Sequence, residues 1–501
     1  MSTLEHNLGL SFESKGAFQP ATNAIRTKII CTIGPKTATK GMLTRLVNAG
    51  MNVARLNFSH GDHEYHQGVI RNLRHVLAKE KRMCAIMLDT KGPEIRTGKL
   101  KGGKEIRLSS GQTIVLTSDY SVLGTTEKIA QSYKALARSV EEGSQILIDD
   151  GLISMTVIGI EGNDVKCTVK NDGWLGETKG VNLPGAVVDL PALTDKDKED
   201  LKFGCKQQVD LVAASFIRKA SDVVEMRQFL KHHGGEGIMI LSKIENQEGL
   251  QNFDDILEVS DGVMVARGDM GVEIPIEKIS VAQKMMISKC NIVGKPVITA
   301  TQMLDSMIKN PRPTRAETTD VANAVFDGSD CVMLSGETAK GEYPVEAVET
   351  MASICREAEK ALDYDSSFNA LRKLMKKEQT NQSVAETITS SAVKTAYDLG
   401  SSIILCLTET GTTAKLVCKY RPVSPIVCVT SNEFTARQLL LYRGAFPMLV
   451  GSMIGQESLI ARTLVRVGSS RLAQKGDLVV VISGMTEGVS GGTNVMRVMN
   501  V

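Results

Sequence analysis

The sequence predicts an α/β protein built on a closed (β/α)8 TIM barrel, with an all-β lid inserted into it and an open α/β domain after it. Two observations predict the barrel. Short apolar runs that end in polar clusters occur eight times, and charged segments with helical periodicity separate most of them. Strands that alternate with helices are typical of a parallel sheet, and eight such units favour a closed barrel over an open sheet.

The eight apolar runs are the predicted barrel strands. They cover residues 27–35, 52–61, 84–96, 210–218, 237–246, 261–271, 295–303 and 330–341. Each is short and often β-branched, as in strands that are buried on both faces. Active sites of such barrels lie at the carboxyl ends of the strands, which is where every polar cluster of this sequence falls.

A long insertion separates the third and fourth predicted strands. Its interior alternates apolar and polar residues and contains Gly-Asn and Asp-Gly turns, which predicts a small all-β domain. Because it leaves and rejoins the barrel at the catalytic end, we expect it to act as a lid. We place an N-terminal segment at residues 1–21, the barrel at 22–91 and 191–361, and the lid at 92–190.

Residues 362–501 are the last predicted unit. A charged helical segment at 360–383 leads into five further apolar runs with helical segments between them. This second alternation predicts a separate open α/β domain.

Composition excludes several classes of protein. Lys and Arg number 59 and Asp and Glu number 57, so no dedicated nucleic-acid surface is expected. No apolar stretch approaches the ~20 residues of a membrane-spanning helix, and the N-terminus lacks the pattern of a secretory signal. The ten cysteines include no CxxC pair, which argues against a zinc cage and a disulfide framework. We therefore expect a soluble cytoplasmic protein.

The stretch GIMILSKIENQEG, residues 237–249, ends a predicted strand with charged side chains. Lys243 and Glu245 are two positions apart, so on a strand they point the same way. A structural ion pair would explain this strand equally well. Asp269 follows the next strand behind Gly268, and a glycine lets a ligand approach the backbone closely. Two carboxylates without His or Cys favour Mg²⁺ or Mn²⁺, beside which Lys243 would stabilise a transferring anionic group.

Two arginines indicate that this anion is a phosphate. Arg55 and Arg96 follow the second and third predicted strands, where their forked groups can grip phosphoryl oxygens. Either arginine alone is more often a packing or surface residue. Neutral oxygens and one carboxylate in the same region suit a monovalent cation, although a hydrogen-bond network explains them as well: Asn57, Ser59, Asp89 and Thr90.

Two further motifs have open interpretations. HGDHEYH, residues 60–66, is rich in histidine, but its spacing matches no zinc pattern, so a structural role is favoured. Gly411 lies between a predicted strand and a helix, which indicates either a generic anion site or a plain N-cap. The chain has no P-loop and no GxGxxG loop, so a nucleotide would be held in another way.

Long segments of the chain carry a family resemblance. They include CTIGP, MNVARLNFSHG, LDTKGPEIRTG, KGVNLPG, ASFIR, SKIENQEG, DGVMVARGDMGVEIP, ATQMLDSM, PRPTRAE and CVMLSGETAKGEYP. Through them the chain resembles the pyruvate kinase family from end to end. The resemblance implies a barrel with a β lid, a C-terminal effector and oligomerisation domain, and a homotetramer. It also implies phosphoryl transfer from phosphoenolpyruvate to ADP, which gives pyruvate and ATP in the final step of glycolysis.

The resemblance also implies roles for individual residues. Arg55 would bind the substrate phosphate, and Lys243 would stabilise the phosphoryl group in flight. Arg96 and Thr301 would complete the catalytic set. The other implied ligands are Gly268, Asp269 and Thr301 for the substrate; Asn57, His60, Arg96 and Lys179 for the nucleotide; Glu245 and Asp269 for Mg²⁺; and Asn57, Ser59, Asp89 and Thr90 for K⁺.

The C-terminal domain departs from members that fructose 1,6-bisphosphate activates. Their effector loop corresponds here to Thr408, Thr410, Gly411, Thr412 and Thr413. The single tryptophan, Trp174, lies in the lid, Leu459 stands about where an arginine is expected, and Glu409 adds a negative charge. We therefore expect little response to this sugar and a differently shaped phosphorylated metabolite as the effector. Its candidate ligands are Arg462, Arg466 and Arg471.

Two other functions compete on the residues alone. One is a barrel aldolase in which Lys243 forms a Schiff base, although the flanking carboxylates favour a charged lysine. The other is a non-catalytic scaffold. Loss of Lys243, Glu245 or Asp269 would indicate a scaffold, and all three residues are present.

Overall fold

The computed structural model describes residues 25–377, 383–469, 472–487 and 491–501. The expected N-terminal segment, residues 1–21, lies outside the described residues. No helix among the described residues is long and apolar enough to cross a membrane.

Eight parallel strands close into a barrel, which confirms the predicted fold class. In chain order, barrel strands one to eight are Lys28–Thr32, Met51–Asn57, Ala85–Asp89, Leu211–Ala214, Met239–Ile244, Gly262–Ala266, Val297–Ala300 and Cys331–Leu334. One strand falls in each predicted run. Alternate residues such as Ile30, Val53 and Met87 fill the interior, while their neighbours pack under the surrounding helices.

Helices surround the barrel and connect its strands. They are Lys40–Ala49, His63–Glu80, Asp195–Lys206, Ala220–His232, Gln247–Gln251, Phe253–Val259, Arg267–Glu273, Ile279–Val293, Arg315–Asp327, Gly336–Ala339 and Pro344–Ala361, with 3-10 turns at Ile276–Lys278 and Asp305–Ile308. Local sequence fixes several helix starts. Thr194 and Thr314, for example, form capping boxes with Asp197 and Glu317.

The insertion between strands three and four folds into two sheets. Its strands are Ile106–Leu108, Thr113–Thr117, Lys128–Ala130, Gln145–Ile148, Ile153–Glu161, Asp164–Val169, Gly173–Leu175 and Val181–Asn182. Six of them form one sheet and the remaining two pair separately. A single-turn helix, Leu136–Ser139, is the one departure from an all-β unit among its described elements. The alternation signal found the longer strands, whereas strands of two or three residues are too short to show it.

The C-terminal region forms an open five-stranded sheet with helices. Its strands are Ile403–Leu407, Ile426–Thr430, Ala445–Leu449, Leu478–Gly484 and Thr493–Asn500, and the last is antiparallel to its neighbour. Its helices are Tyr364–Lys377, Val384–Asp398, Thr412–Lys419, Glu433–Leu439 and Gln456–Ser469. The predicted open α/β architecture is confirmed. The exact domain limits given above stay a prediction.

The C-terminal region packs against the barrel floor, the end opposite the carboxyl ends of the strands. Arg437 Nε lies 2.8 Å from Oδ1 of Asp210, the residue that precedes strand four. Lys28 Nζ donates to Ala445 O at 2.6 Å. Buried charged side chains at this end of the barrel are therefore paired with groups of the C-terminal region.

Candidate active site

Lys243 and Glu245 do point to one place at the mouth of the barrel. Lys243 Nζ lies 3.0 Å from Glu245 Oε1 and 3.1 Å from Asp89 Oδ1, and it donates to Ser215 Oγ at 2.6 Å. Burial opposes the charge on this lysine, but the Asp89 and Glu245 carboxylates outweigh burial and raise the pKa of Lys243. The site therefore holds a buried, protonated ammonium group.

Arg55 stands beside this ammonium group at the end of strand two. Its Nε donates to Asp89 Oδ2 at 2.5 Å, and its NH1 donates to Thr32 Oγ1 at 2.9 Å. Its NH2 has no hydrogen-bond partner among the described residues. Burial alone would raise the pKa of Asp89, but Arg55 and Lys243 together lower it. Asp89 is thus an ionised carboxylate that fixes two cations at one spot.

Glu245 and Asp269 form a carboxyl pair next to Lys243. Glu245 Oε2 accepts the backbone N–H of Phe216 at 2.5 Å. Burial raises the pKa of Glu245 to about 7, and the nearby Asp269 adds to this rise in spite of Lys243. Burial also raises the pKa of Asp269, whose carboxyl group is hydrogen-bonded to Glu245. Two buried acids side by side oppose each other's ionisation, so they fit a divalent ion that takes its other ligands from substrate and water.

Gly268 and Thr301 lie against each other beside this pair. A Cβ at Gly268 would lie 2.8 Å from Thr301 Cγ2, so a larger residue here would displace the Thr301 side chain. Thr301 itself has a positive φ of 76°, which is unusual for a β-branched residue. Its carbonyl accepts Arg267 NH2 at 2.8 Å. The structure therefore holds this segment in a strained conformation at the edge of the site.

The inserted sheets supply the opposite wall of the site. Arg96 Nε and NH2 donate to Glu94 Oε2 at 2.8 and 2.6 Å. Lys179 Nζ lies 3.0 Å from Asp149 Oδ2. Both cations line a cavity of about 260 Å³ that Asp269 also lines. The cavity therefore lies between the barrel mouth and the inserted sheets, as the sequence predicts for a lid.

The four residues expected to bind a monovalent cation come from two adjacent strands and the loops after them. Asn57 pairs in register with Asp89. Asn57 Oδ1 accepts the backbone N–H of Ser59 at 3.1 Å, and Thr90 Oγ1 accepts that of Ser215 at 3.1 Å. All four side chains offer oxygen atoms as metal ligands, and one of them is a carboxylate, which suits K⁺ chemically. His60, which follows Ser59, is exposed.

The histidines of HGDHEYH have structural partners. His66 Nε2 bonds His60 O at 2.9 Å, and its ring stacks on Phe58 with centroids 4.0 Å apart. His63 Nε2 lies 2.8 Å from Asp200 Oδ1. Among the described residues, no group of three or more His, Cys, Asp or Glu could hold a metal ion.

Three residues of the site were not singled out from the sequence: Thr32, Ser215 and Asp149. Each contacts a predicted site residue that is distant along the chain, as Thr32 contacts Arg55 and Ser215 contacts Lys243. Their positions at the ends of barrel strands were the signal that could have identified Thr32 and Ser215 from the sequence. Thr32 ends barrel strand one and Ser215 follows strand four, so both lie at the catalytic end of the barrel.

The predicted effector loop surrounds a second, smaller cavity. Gly411 has a positive φ of 83° and begins the helix Thr412–Lys419. A cavity of about 70 Å³ is lined by Thr408, Thr410 and Thr413, with Glu409 and Glu487 at its wall. Gly411 and Thr412 adjoin this wall, and Thr412 Oγ1 lies 3.0 Å from Thr410 Oγ1.

The arginine-rich helix after this loop does not supply the expected ligands at the cavity wall. Leu459 is buried, 2% exposed, in the cluster between its helix and the sheet, so this position faces the domain interior. Arg462 and Arg466 are exposed and do not line the cavity. Arg471 lies outside the described residues. The helix therefore directs Leu459 into the domain interior and not to the cavity wall.

Fold and site together define a barrel enzyme of phosphoryl transfer, with cations for an anionic group and a carboxyl pair for a hard metal. Profiles described as the pyruvate kinase barrel domain and the pyruvate kinase alpha/beta domain match residues 24–348 and 386–499. The chain belongs to the pyruvate kinase family.

Individual relatives are similar over the whole chain. A pyruvate kinase of Dictyostelium discoideum is 55% identical, covering 100% of this chain and 98% of that protein. A cytosolic isozyme of pyruvate kinase from Nicotiana tabacum is 52% identical, with 91% and 94% coverage. The crystal structure of a pyruvate kinase from Cryptosporidium parvum superimposes with a TM-score of 0.92 at 45% identity, covering 100% of this chain and 99% of that one.

Proposed function

We propose that the cleft transfers the phosphoryl group of phosphoenolpyruvate to ADP, and that Lys243 is its central catalytic residue. The observation that carries this assignment is the buried ammonium group of Lys243. It is held by Asp89, Ser215 and Glu245 and lies beside Arg55. A fixed cation in a buried site stabilises charge on a transferring group without reorganising first.

The protonated state of Lys243 argues against Schiff-base chemistry. An amine must lose its proton to attack a carbonyl, and enzymes achieve this by lowering the pKa of the lysine. Here Asp89 and Glu245 raise the pKa of Lys243. The lysine therefore acts as a charge and not as a nucleophile.

The two arginines act on different phosphates in this proposal. Arg55 would bind the phosphate of phosphoenolpyruvate through NH2, because its Nε and NH1 are already bonded to Asp89 and Thr32. Arg96 and Lys179 line the cavity from the lid side and would grip the phosphates of ADP, with Asn57 and His60 near the nucleotide. Gly268, Asp269 and Thr301 would contact the organic part of the substrate, whose enolate takes a proton at carbon 3 to give pyruvate.

Glu245 and Asp269 would hold the divalent cation that the family requires, Mg²⁺ or Mn²⁺. Their burial side by side and their raised pKa values mark a place where a divalent cation would stabilise both carboxylates. When bound, such an ion neutralises charge on phosphoryl oxygens. Asn57, Ser59, Asp89 and Thr90 would hold K⁺, and the carboxylate of Asp89 would also keep Arg55 and Lys243 in place.

The family also motivates proposals on assembly and regulation. We expect a homotetramer, which light scattering of the purified chain would measure, and a cytoplasmic location, as the relative named a cytosolic isozyme suggests. The inserted sheets would act as the lid and the C-terminal domain would bind a phosphorylated effector. Thr408, Thr410, Gly411, Thr412 and Thr413 would form the effector cradle.

One assay tests the assignment of the reaction. ATP formation from phosphoenolpyruvate and ADP is followed with and without Mg²⁺, and with K⁺ replaced by tetramethylammonium. We expect turnover that requires the divalent ion and is raised by K⁺. A pure, folded protein that forms no ATP in the complete mixture would overturn the proposed reaction.

A further inference from the structure

The helix that carries Gly268 and Asp269 is short and is held at both ends. It spans Arg267–Glu273. At its first residue, Arg267 bonds both carboxylate oxygens of Asp320 at 2.7 Å and the Thr301 carbonyl at 2.8 Å. A helix of seven residues has little stability of its own. Its position therefore depends on its tertiary contacts, which are the buried Met270 in its middle and the partners of its two ends.

The last residue of this helix is held by the inserted sheet. Asn182 Nδ2 donates to Glu273 Oε1 at 2.8 Å. Burial raises the pKa of Glu273, whereas the backbone N–H of Leu183 and the guanidinium of Arg218 also favour its charged form and lower this pKa. Asn182 belongs to the strand Val181–Asn182, which pairs with Gln145–Ile148 in the six-stranded sheet. The contact thus joins the body of the lid sheet to the barrel.

A second contact joins the same two parts. Gly151 lies beside the same helix, because a Cβ at this position would be 3.8 Å from Val272 Cγ1. Asp150, the residue before it, is close enough to Asp269 for the repulsion between the two carboxylates to raise the pKa of Asp269 further. Asn182, Asp150, Asp269 and Glu273 all line the cavity of about 260 Å³. The closed sheet therefore touches the barrel on the helix that carries the candidate metal ligand.

We propose that Asn182 and Glu273 form a latch that couples closure of the lid to the position of Gly268 and Asp269. Glu273 is then a positioning residue of the reaction and Asn182 is its partner on the lid. When the lid is open, the helix loses the bonds at its last residue and Asp269 is less well placed. The inference rests on the proposed function only for its effect on catalysis, because the contact itself is geometric.

The pair allows a test with isosteric variants. Asn182→Asp places a second carboxylate against Glu273 and replaces the bond by repulsion. Asn182→Asp combined with Glu273→Gln restores a bond of reversed polarity, because the new amide donates to the new carboxylate. Gln145→Glu is the matched control, since it adds the same charge to an exposed position of the lid sheet, where the Gln145 side chain donates to Ser154 Oγ and not to the barrel.

The first measurement is hydrogen exchange of the full chain without substrates, followed by mass spectrometry. We expect peptides covering 181–185 and 267–274 to exchange about tenfold faster in Asn182→Asp, in line with the loss of one hydrogen bond and added repulsion. The double variant should return to wild-type exchange, and Gln145→Glu should not differ from wild type. Wild-type exchange in Asn182→Asp, or no recovery in the double variant, would overturn the latch.

The second measurement is steady-state kinetics of the same set. Asn182→Asp should raise the KM for phosphoenolpyruvate and for Mg²⁺ about threefold to tenfold, the range expected for one hydrogen bond, with a smaller change in kcat and recovery in the double variant. A threefold to tenfold fall in kcat in Asn182→Asp, with both KM values unchanged, would overturn the positioning role. If the wild type forms no ATP, the proposed function fails, while the exchange measurements still decide the latch.

Discussion

Ser215 Oγ lies 2.6 Å from Lys243 Nζ and the same distance, 2.6 Å, from the carbonyl oxygen of Thr90. The hydroxyl therefore accepts from the lysine and donates to the backbone. This arrangement orients the ammonium group from strand four, whereas Asp89 orients it from strand three. Ser215 is thus part of the frame that preorganises the lysine.

Ser215→Ala should lower kcat about tenfold to hundredfold, because a hydrogen bond to a charged group contributes about 1.5–3 kcal/mol. The KM for ADP should change little, since Ser215 does not line the cavity that Arg96 and Lys179 line. Steady-state kinetics measures both values. Ser154→Ala, which removes a hydroxyl from the lid, is the control. An unchanged kcat in Ser215→Ala would show that Ser215 does not help to orient Lys243.

Lys243→Met should retain the fold and lose roughly 10²–10³ in kcat, the usual effect of removing one preorganised stabilising group. The methionine stem packs similarly, and the carboxyls of Asp89 and Glu245 can take up protons when the cation is gone. Lys289→Met serves as the control, because it removes a half-buried lysine that pairs with Asp254. Near-wild-type turnover in folded Lys243→Met would refute its central role.

Potassium should activate the protein, because the resemblance links a glutamate at position 94 to K⁺ dependence and a lysine there to its loss. Glu94 Oε2 receives two bonds from Arg96 at the cavity. In Glu94→Lys we expect the ratio of rates in K⁺ and in tetramethylammonium buffer to fall by more than half. Glu105→Lys, on the exposed lid surface, should keep the wild-type ratio. Full wild-type activity without K⁺ contradicts this prediction.

Fructose 1,6-bisphosphate should have little effect at sub-saturating phosphoenolpyruvate. The second cavity presents Glu409 and Glu487, and no Arg or Lys lines it among the described residues. A carboxylate ~4 Å from a phosphate opposes binding by ~4 kcal/mol at an effective dielectric of 20, before solvent screening is discounted. A tenfold shift in half-saturation at micromolar bisphosphate would show the prediction to be wrong. Glu409→Gln is the informative variant, because it should strengthen any weak response.

Lys28 should make stability depend on pH in the alkaline range. Burial lowers the pKa of its amino group from 10.5 to about 8. Between these values the unfolded chain binds a proton that the folded chain does not, so the free energy of unfolding rises with pH by about 1.4 kcal/mol per unit. Urea unfolding of wild type and Lys28→Met between pH 8 and 10 should show a difference with this slope. A difference that is constant across this range would contradict the prediction.

The barrel could be predicted from the sequence because each strand is buried on both faces and ends in a polar cluster. That signal is local, and Met239–Ile244 followed by Glu245 shows it clearly. Short lid strands such as Val181–Asn182 gave no such signal, since two residues show no alternation. Their pairing is set by the neighbouring strand Gln145–Ile148.

Those parts of the site could be predicted in which the position of a residue on a strand fixes the direction of its side chain. Lys243 and Glu245 are an example, because their spacing of two fixes a common direction on a strand. Contacts such as Thr32 with Arg55 depend on which strands become neighbours and on side-chain rotamers. Leu459 shows the same limit, since the rotation of its helix places it in the interior and not at the cavity.

Strand four has a consequence for how regulation can diversify among related enzymes. One end of it follows Asp210, which Arg437 of the C-terminal helix Glu433–Leu439 holds, and the other precedes Ser215. Strand four therefore connects, through its own backbone, the contact with the C-terminal domain and the frame that holds Lys243. A substitution at Arg437 that shifted Asp210 would reach the lysine frame by this route. Selection can tune the enzyme in this way while every group that touches the substrate stays the same.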